Sequence, residues 1–283
     1  MNPIWQTSRF AIDLSSPRVM GIVNVTPDSF SDGGRHDSPD AAMAHCDRLL
    51  REGAHMLDVG GESTRPGAGT PTVDEELARV LPVVRHAVTL GVPVSVDTSR
   101  QEVIRAVLDL GADIVNDVRA LGLPGALGAL AAHPRAGVCL MHMQGEPRSM
   151  QSAPGYVDVV QDVSTFLSER MSRAIAAGID SDRIVLDPGI GFGKLAPHNL
   201  ELLARQGELL ALGRPLLVGW SRKSTLGTVT GRPVGERLAA SIAAAMLAAQ
   251  RGARILRVHD VAATVDALAI MEAATDRHQV RTT

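Results

Sequence analysis

The stretch V-P-V-S-V-D-T-S-R-Q-E-V-I-R-A-V-L-D-L-G-A-D-I-V-N-D-V, residues 92–118, carries the fold in miniature. It opens on an apolar run rich in valine, 92–96, that stops at Asp97. Short continuous runs of this kind read as strands buried on both faces. Residues 100–110 then place Val103, Ile104, Val107 and Leu108 at helical spacing, with Gly111 at the exit. A second apolar run, 113–116, ends at Asn116 and Asp117. Strand, helix and strand in direct succession form a βαβ unit, whose strands are parallel.

The same alternation extends in both directions. Apolar runs fall at 19–25, 55–59, 92–96, 113–116, 137–141, 183–186, 215–218 and 254–258. Helical patterns fall at 39–52, 73–90, 100–110, 124–132, 157–177, 197–212, 235–250 and 261–274. Pro39 and Pro124 suit first helical turns, and glycines at 53, 91, 111, 178, 213 and 252 suit helix exits. Eight strands alternating with eight helices predict one domain, a (β/α)8 TIM barrel spanning residues 1–283. An open doubly wound sheet is the competing topology. Residues 1–17, ahead of the first run, are expected to form a short N-terminal extension closing the barrel bottom.

Composition narrows the function. A chain of 283 residues with 45% hydrophobic and 21% charged side chains is not disordered. A net charge of −3 argues against nucleic acid as a partner. Cys46 and Cys139 have no C-x-x-C spacing, so neither a disulfide framework nor a zinc ribbon is expected. The first seventeen residues lack the apolar core of a secretory signal, and the longest apolar stretch, 238–249, is too short to span a bilayer. A soluble, cytoplasmic protein with no membrane partner is expected. Among 28 basic residues only two are lysines, Lys194 and Lys223. A chain so biased toward arginine is expected to keep lysine where a planar guanidinium will not serve.

In a (β/α)8 barrel the active site lies at the C-terminal ends of the strands. Those ends carry Asn24, Asp58, Asp97, Asn116 with Asp117, His142, Asp187, the S-R-K loop at 221–223, and Arg257 with His259. Buried polar groups cost roughly 1–3 kcal/mol each unless paired, so strand-end caps alone poorly explain the whole set. Several chemistries are excluded: there is no H-E-x-x-H, no H-x-H on the first strand, no G-x-S-x-G elbow, and D-P-G-I-G-F-G-K (187–194) fits neither a phosphate loop nor a dinucleotide fingerprint. Carboxylates and amides at depth suit a flat heterocycle with several N–H donors. Arg257 and His259 nearer the rim suit a phosphate, and Asn24 beside that anion suits Mg²⁺, which prefers oxygen ligands. The Gly-rich loops at 26–35 and 60–69 have the composition of lids, with Phe30 placed to cover a ligand.

Eight segments then line up in order: N-V-T-P-D-S-F-S-D-G-G (24–34), D-V-G-G-E-S-T-R-P-G (58–67), S-V-D-T-S (95–99), N-D-V (116–118), M-H-M-Q-G (141–145), D-P-G-I-G-F-G-K (187–194), S-R-K-S (221–224) and R-V-H-D-V (257–261). Together they resemble the dihydropteroate synthases, pterin-binding TIM barrels, over nearly the whole chain. The resemblance implies a transferase of folate biosynthesis. It would condense 6-hydroxymethyl-7,8-dihydropterin pyrophosphate with 4-aminobenzoate to give 7,8-dihydropteroate and pyrophosphate, and would be a sulfonamide target.

The resemblance also implies roles by position. Asp97, Asn116, Met143, Asp187, Phe192 and Lys223 match the pterin pocket. Asn24, Arg257 and His259 match the pyrophosphate site, with Asn24 toward the Mg²⁺ cofactor. Ser29, Phe30, Thr64, Arg65, Pro66 and Ser224 match the lids and rim around 4-aminobenzoate. Asp97, Lys223 and Arg257 are the residues expected to carry catalysis. A Schiff-base aldolase using a lysine, a methyltransferase to a corrinoid and a non-catalytic pterin-binding barrel are the rival readings. Trp220 is larger than that position of the pattern suggests and puts the local wall shape in question. Lys194 is expected to be a solvated cation. The Ala-rich helices 238–249 and 261–274, with the resemblance, predict a homodimer through that region.

Overall fold

The computed structural model describes residues 4–26, 39–62, 69–146, 150–151 and 154–275. Eight parallel strands close a barrel: β3 (Arg18–Asn24), β4 (Met56–Gly60), β5 (Val94–Asp97), β6 (Ile114–Asp117), β7 (Gly137–Met141), β8 (Ile184–Asp187), β9 (Leu216–Val218) and β10 (Ala253–Val258). β10 pairs with β3, Val258 opposite Gly21, and that pairing excludes the open doubly wound sheet. Helices α1 (Pro39–Arg51), α2 (Val73–Val88), α3 (Gln101–Asp109), α4 (Ala126–Ala131), α5 (Val159–Ala176), α6 (Ala196–Ala204), α7 (Ser224–Thr230), α8 (Leu238–Gln250) and α9 (Val261–Thr275) connect or flank the strands.

Strand periodicity sorts the side chains. Outward residues such as Val19, Leu57, Val96, Val115, Leu140, Leu186, Val218 and Leu256 join the helices in one large core. Inward residues one step away, Met20, Met56, Ile114, Cys139, Val185, Leu217 and Ile255, form a second core inside the barrel. Two residues further along the same faces come Asp58, Asn116, Asp187 and Arg257, so period two alone lifts polar groups directly above the apolar floor.

The expected N-terminal extension is a hairpin, β1 (Ile4–Gln6) with β2 (Ala11–Asp13), and it plugs the barrel bottom. Trp5, Ile12 and Leu14 belong to the inner core, and the Trp5 indole donates to the Arg183 carbonyl at 2.8 Å. Arg9 fixes the hairpin: its backbone N, Nε and Nη2 all donate to the buried Asp113 carboxylate, the closest at 2.6 Å.

The helical region expected at 197–212 divides into α6 and a 3-10 segment, Gln206–Leu212. α7 falls outside the helical patterns of the sequence: S-T-L-G-T-V-T is rich in poor helix formers, and Gly231 ends it at φ 72°. Trp220 is 1% exposed and packs into the outer core with Val218 and Leu226, so its bulk serves the helix layer.

Candidate active site

Arg257 leaves β10 toward the barrel interior and reaches across it. Its Nε donates to Asp58 Oδ2 at 2.6 Å and its Nη2 to Asp97 Oδ2 at 3.0 Å. Asn116 Nδ2 donates to the same Asp58 oxygen at 3.2 Å. Four strands are thereby tied together at one level, β10, β4, β5 and β6. Two oxygens in this cluster, Asp58 Oδ1 and Asn116 Oδ1, are buried without a hydrogen-bond partner among the described residues. Unpaired buried acceptors are uncommon, and these suit N–H or N–H₂ donors from a ligand. Burial pushes the Asp97 carboxyl well above the ordinary carboxylate range; the Arg257 charge opposes this, while Asp58 and Asp117 add to it.

Asp187, at the end of β8, accepts the Gly189 N–H at 2.7 Å. Burial raises its pKa to about 6, against the pull of that N–H, Lys223, Lys194 and Arg257. The chain then turns through Gly189, Gly191 and Gly193, all at positive φ of 69°, 79° and 61°. A Cβ at Gly189 would overlap the His142 carbonyl oxygen, and one at Gly193 the Gln144 carbonyl oxygen, so the turn lies flat on the segment after β7. Phe192, at its tip, places its ring centroid 4.2 Å from Lys223 Nζ, a cation–π contact. Burial and the Arg257 charge lower the Lys223 pKa to about 8, with Asp187 and Asp97 opposing.

Lys194 is not the solvated cation expected. It is 2% exposed, and its ammonium donates to His142 Nδ1 at 2.8 Å, the Gly189 carbonyl at 3.0 Å and the Phe192 carbonyl at 3.1 Å. The three-glycine turn folds the side chain back under itself, a reversal that no sequence period announces. Burial and the neighbouring ammonium hold His142 down to about 3, so its imidazole is neutral.

At the rim, Ser221 and His259 share a hydrogen bond, Oγ to Nδ1 at 3.0 Å. Burial, with the charges of Arg222 and Arg257, lowers the His259 pKa to about 3. A phosphate beside it would act in the opposite direction, favouring the charged imidazole. Asn24 ends β3 opposite Gly60; β3 lies beside β10, which carries Arg257 and leads into His259. Met143 is half-buried just past β7, and Ser224 is exposed as the first residue of α7. Ser29, Phe30, Thr64, Arg65 and Pro66 lie outside the described residues.

The structure thus joins Asp97, Asn116 and Arg257 by hydrogen bonds, and sets Asp187, Phe192 and Lys223 against them. Asp58, the hub of the first group, is in the sequence only one strand-end carboxylate among several. Its signal is the Met56–Asp58 alternation, which turns a carboxylate directly onto the apolar floor. Among the described residues no three His, Cys, Asp or Glu side chains converge as a metal cage. A divalent ion here would have to take most of its ligands from substrate oxygens, and a single amide oxygen from Asn24 fits that arrangement.

A closed parallel barrel with three carboxylates, an amide, a lysine and an arginine at its mouth defines a barrel enzyme that takes a flat polar heterocycle. Residues 20–259 match the model of the family described as pterin binding enzyme. The dihydropteroate synthase of Neisseria meningitidis serogroup B is 51% identical over 276 residues, covering 95% of this chain and 97% of that relative. The Xanthomonas albilineans dihydropteroate synthase solved with 4-aminobenzoic acid is 52% identical at a TM-score of 0.92, covering 98% of this chain and 99% of that one. The Yersinia pestis enzyme solved with a sulfonamide drug has the same TM-score, 0.92, at 48% identity, covering 96% of this chain and 98% of that one. The chain belongs to the dihydropteroate synthase family of pterin-binding enzymes.

Proposed function

We propose that the protein condenses 6-hydroxymethyl-7,8-dihydropterin pyrophosphate with 4-aminobenzoate, giving 7,8-dihydropteroate and pyrophosphate. The observation that carries this reading is the Asp58–Arg257–Asp97 bridge with Asn116 beside it, which leaves two buried oxygens, Asp58 Oδ1 and Asn116 Oδ1, unpaired at the barrel mouth. Asp187 accepts from the pterin 2-amino and N3 edge, and Lys223 donates to the O4/N5 side. Arg257 and His259 hold the pyrophosphate. As the methylene C–O bond breaks, its electrons leave with the pyrophosphate. The methylene carbon becomes cationic and delocalised into the dihydropterin ring. Asp97, as its carboxylate, stabilises that charge until the aniline nitrogen forms the new C–N bond and gives up a proton. No covalent nucleophile is needed, so the catalytic burden is electrostatic.

Mg²⁺, held by the pyrophosphate with Asn24, would neutralise charge on the departing group. Cys46 and Cys139, both buried free thiols, are in keeping with a reducing cytoplasmic location. Sulfonamides are expected to compete with 4-aminobenzoate. The test is pyrophosphate release with and without 4-aminobenzoate, repeated with EDTA and with restored Mg²⁺. Release that depends on both is expected. No release with both substrates present would overturn the assignment, and full activity in metal-free buffer would overturn the metal.

A further inference from the structure

We infer that Lys194 is a positioning residue for Lys223: its ammonium holds the turn 189–193 in the shape that sets Phe192 and Gly191 against the Lys223 side chain. The inference deepens the reading above and rests on it.

An ammonium has three protons, and Lys194 places all three, on His142 Nδ1, the Gly189 carbonyl and the Phe192 carbonyl. Two of those acceptors belong to the turn itself, so the side chain closes a ring inside its own loop. Three left-handed glycines give this backbone no shape of its own, since glycine adopts positive and negative φ about equally well. Other bonds help to hold the turn: Phe192 N–H donates to the Gly189 carbonyl at 3.0 Å, Gly191 N–H to Asn199 Oδ1 at 2.8 Å, Gln151 Nε2 to the Gly191 carbonyl at 2.6 Å and the Tyr156 hydroxyl to the Gly193 carbonyl at 2.7 Å.

The other side of the turn is the wall of Lys223. The Phe192 ring lies 4.2 Å from its Nζ, and a Cβ at Gly191 would stand 3.2 Å from its Cδ. Any change in the turn therefore reaches Lys223 by direct contact. Electrostatics alone would disfavour this arrangement. Burial and the nearby Lys223 charge lower the Lys194 pKa to about 7, with Asp187 the opposing charge. A planar guanidinium cannot offer three tetrahedral protons to this cage, so arginine is no substitute.

The chain has two lysines, so protein labelled with ε-¹³C lysine gives two side-chain signals, and Lys194→Arg leaves only that of Lys223. In the wild type the Phe192 ring current displaces the Lys223 ε-proton signal upfield. In Lys194→Arg, which keeps the charge, that signal is expected to return toward the position of a solvated lysine. The same variant should lose at least tenfold in kcat/KM for the dihydropterin substrate. Gln151→Leu, which loosens the same turn from outside the cage, should move the signal the same way and serves if Lys194→Arg does not fold. An unmoved Lys223 signal in either folded variant would overturn the inference, even if the melting temperature fell. A moved signal in a protein whose wild type releases no pyrophosphate would leave the positioning intact and overturn the assigned reaction.

Discussion

Asp97 is half of a charged pair whose other half, Arg257, is also held by Asp58. Its pKa is raised by burial and lowered by Arg257, so its proton is lost well above the ordinary carboxylate range. If the carboxylate is the form that stabilises the cation, kcat/KM rises with pH through that raised value. Removing the guanidinium removes a lowering influence, so Arg257→Gln should carry the inflection to still higher pH while reducing activity overall. A pH profile unchanged in shape would contradict this. Asp97→Asn, which keeps the shape and deletes the charge, should lose roughly 10²–10³ in kcat, the order found when one positioned electrostatic group is removed. Its melting temperature should stay within a few degrees of wild type.

At the level of elements, the loop after β8 is the most shape-dependent piece of the site. Gly189 combines φ of 69° with a backbone contact to His142 that leaves no room for a Cβ. Gly189→Ala should therefore cost at least about 3 kcal/mol, the sum of a strained backbone and a displaced neighbour. Gly207, exposed and with open space around it, is the control, and Gly207→Ala should stay within about 0.5 kcal/mol. Denaturant midpoints for the two variants give the comparison. This loop also marks where sequence reading ran out. Asp97, Asn116 and Asp187 were legible because each ends a strand whose apolar run fixes which face it joins. Lys194 was not, because its direction depends on left-handed glycines at 189, 191 and 193 and on an acceptor contributed by the segment after β7. α7 was missed for a related reason: its sequence favours no helix, and its C-terminal glycine is as good a loop residue as a cap. Asp58 lay between these cases, visible as a strand end but not as the hub of three strands.

For the molecule as a whole, eight alternations along the chain point to parallel strands buried on both faces, which a closed barrel and an open doubly wound sheet both satisfy; the pairing of β10 with β3 is what closes the barrel. Among the described residues no helix is long and apolar enough to cross a membrane. Helices α8 and α9 pack together and still expose Leu238, Leu247 and Ile270. A homodimer covering these residues should appear in solution scattering as twice the chain mass at micromolar concentration, and a monomer would exclude it. At the opposite end, Trp5→Ala empties a fully buried indole site and should cost about 3–5 kcal/mol in denaturant. Activity of the folded fraction should be unchanged, because Trp5 touches the floor and not the mouth.

That bottom plug has an implication for how the protein is made. Trp5 and Arg9 are translated well before Arg183, Val185, Leu217 and Ile255, yet Trp5 bonds to the Arg183 carbonyl and shares the inner core with the other three. At roughly 5–20 residues per second the indole waits on the order of 10–50 s for its pocket. The hairpin can seat only after the last barrel strand has been synthesised, so translation runs opposite to the order in which the barrel is sealed. A nascent chain stalled before β10 lacks part of the pocket for that tryptophan and leaves an unpaired strand on each side of the gap, which makes a pause between β9 and β10 a point of high aggregation risk.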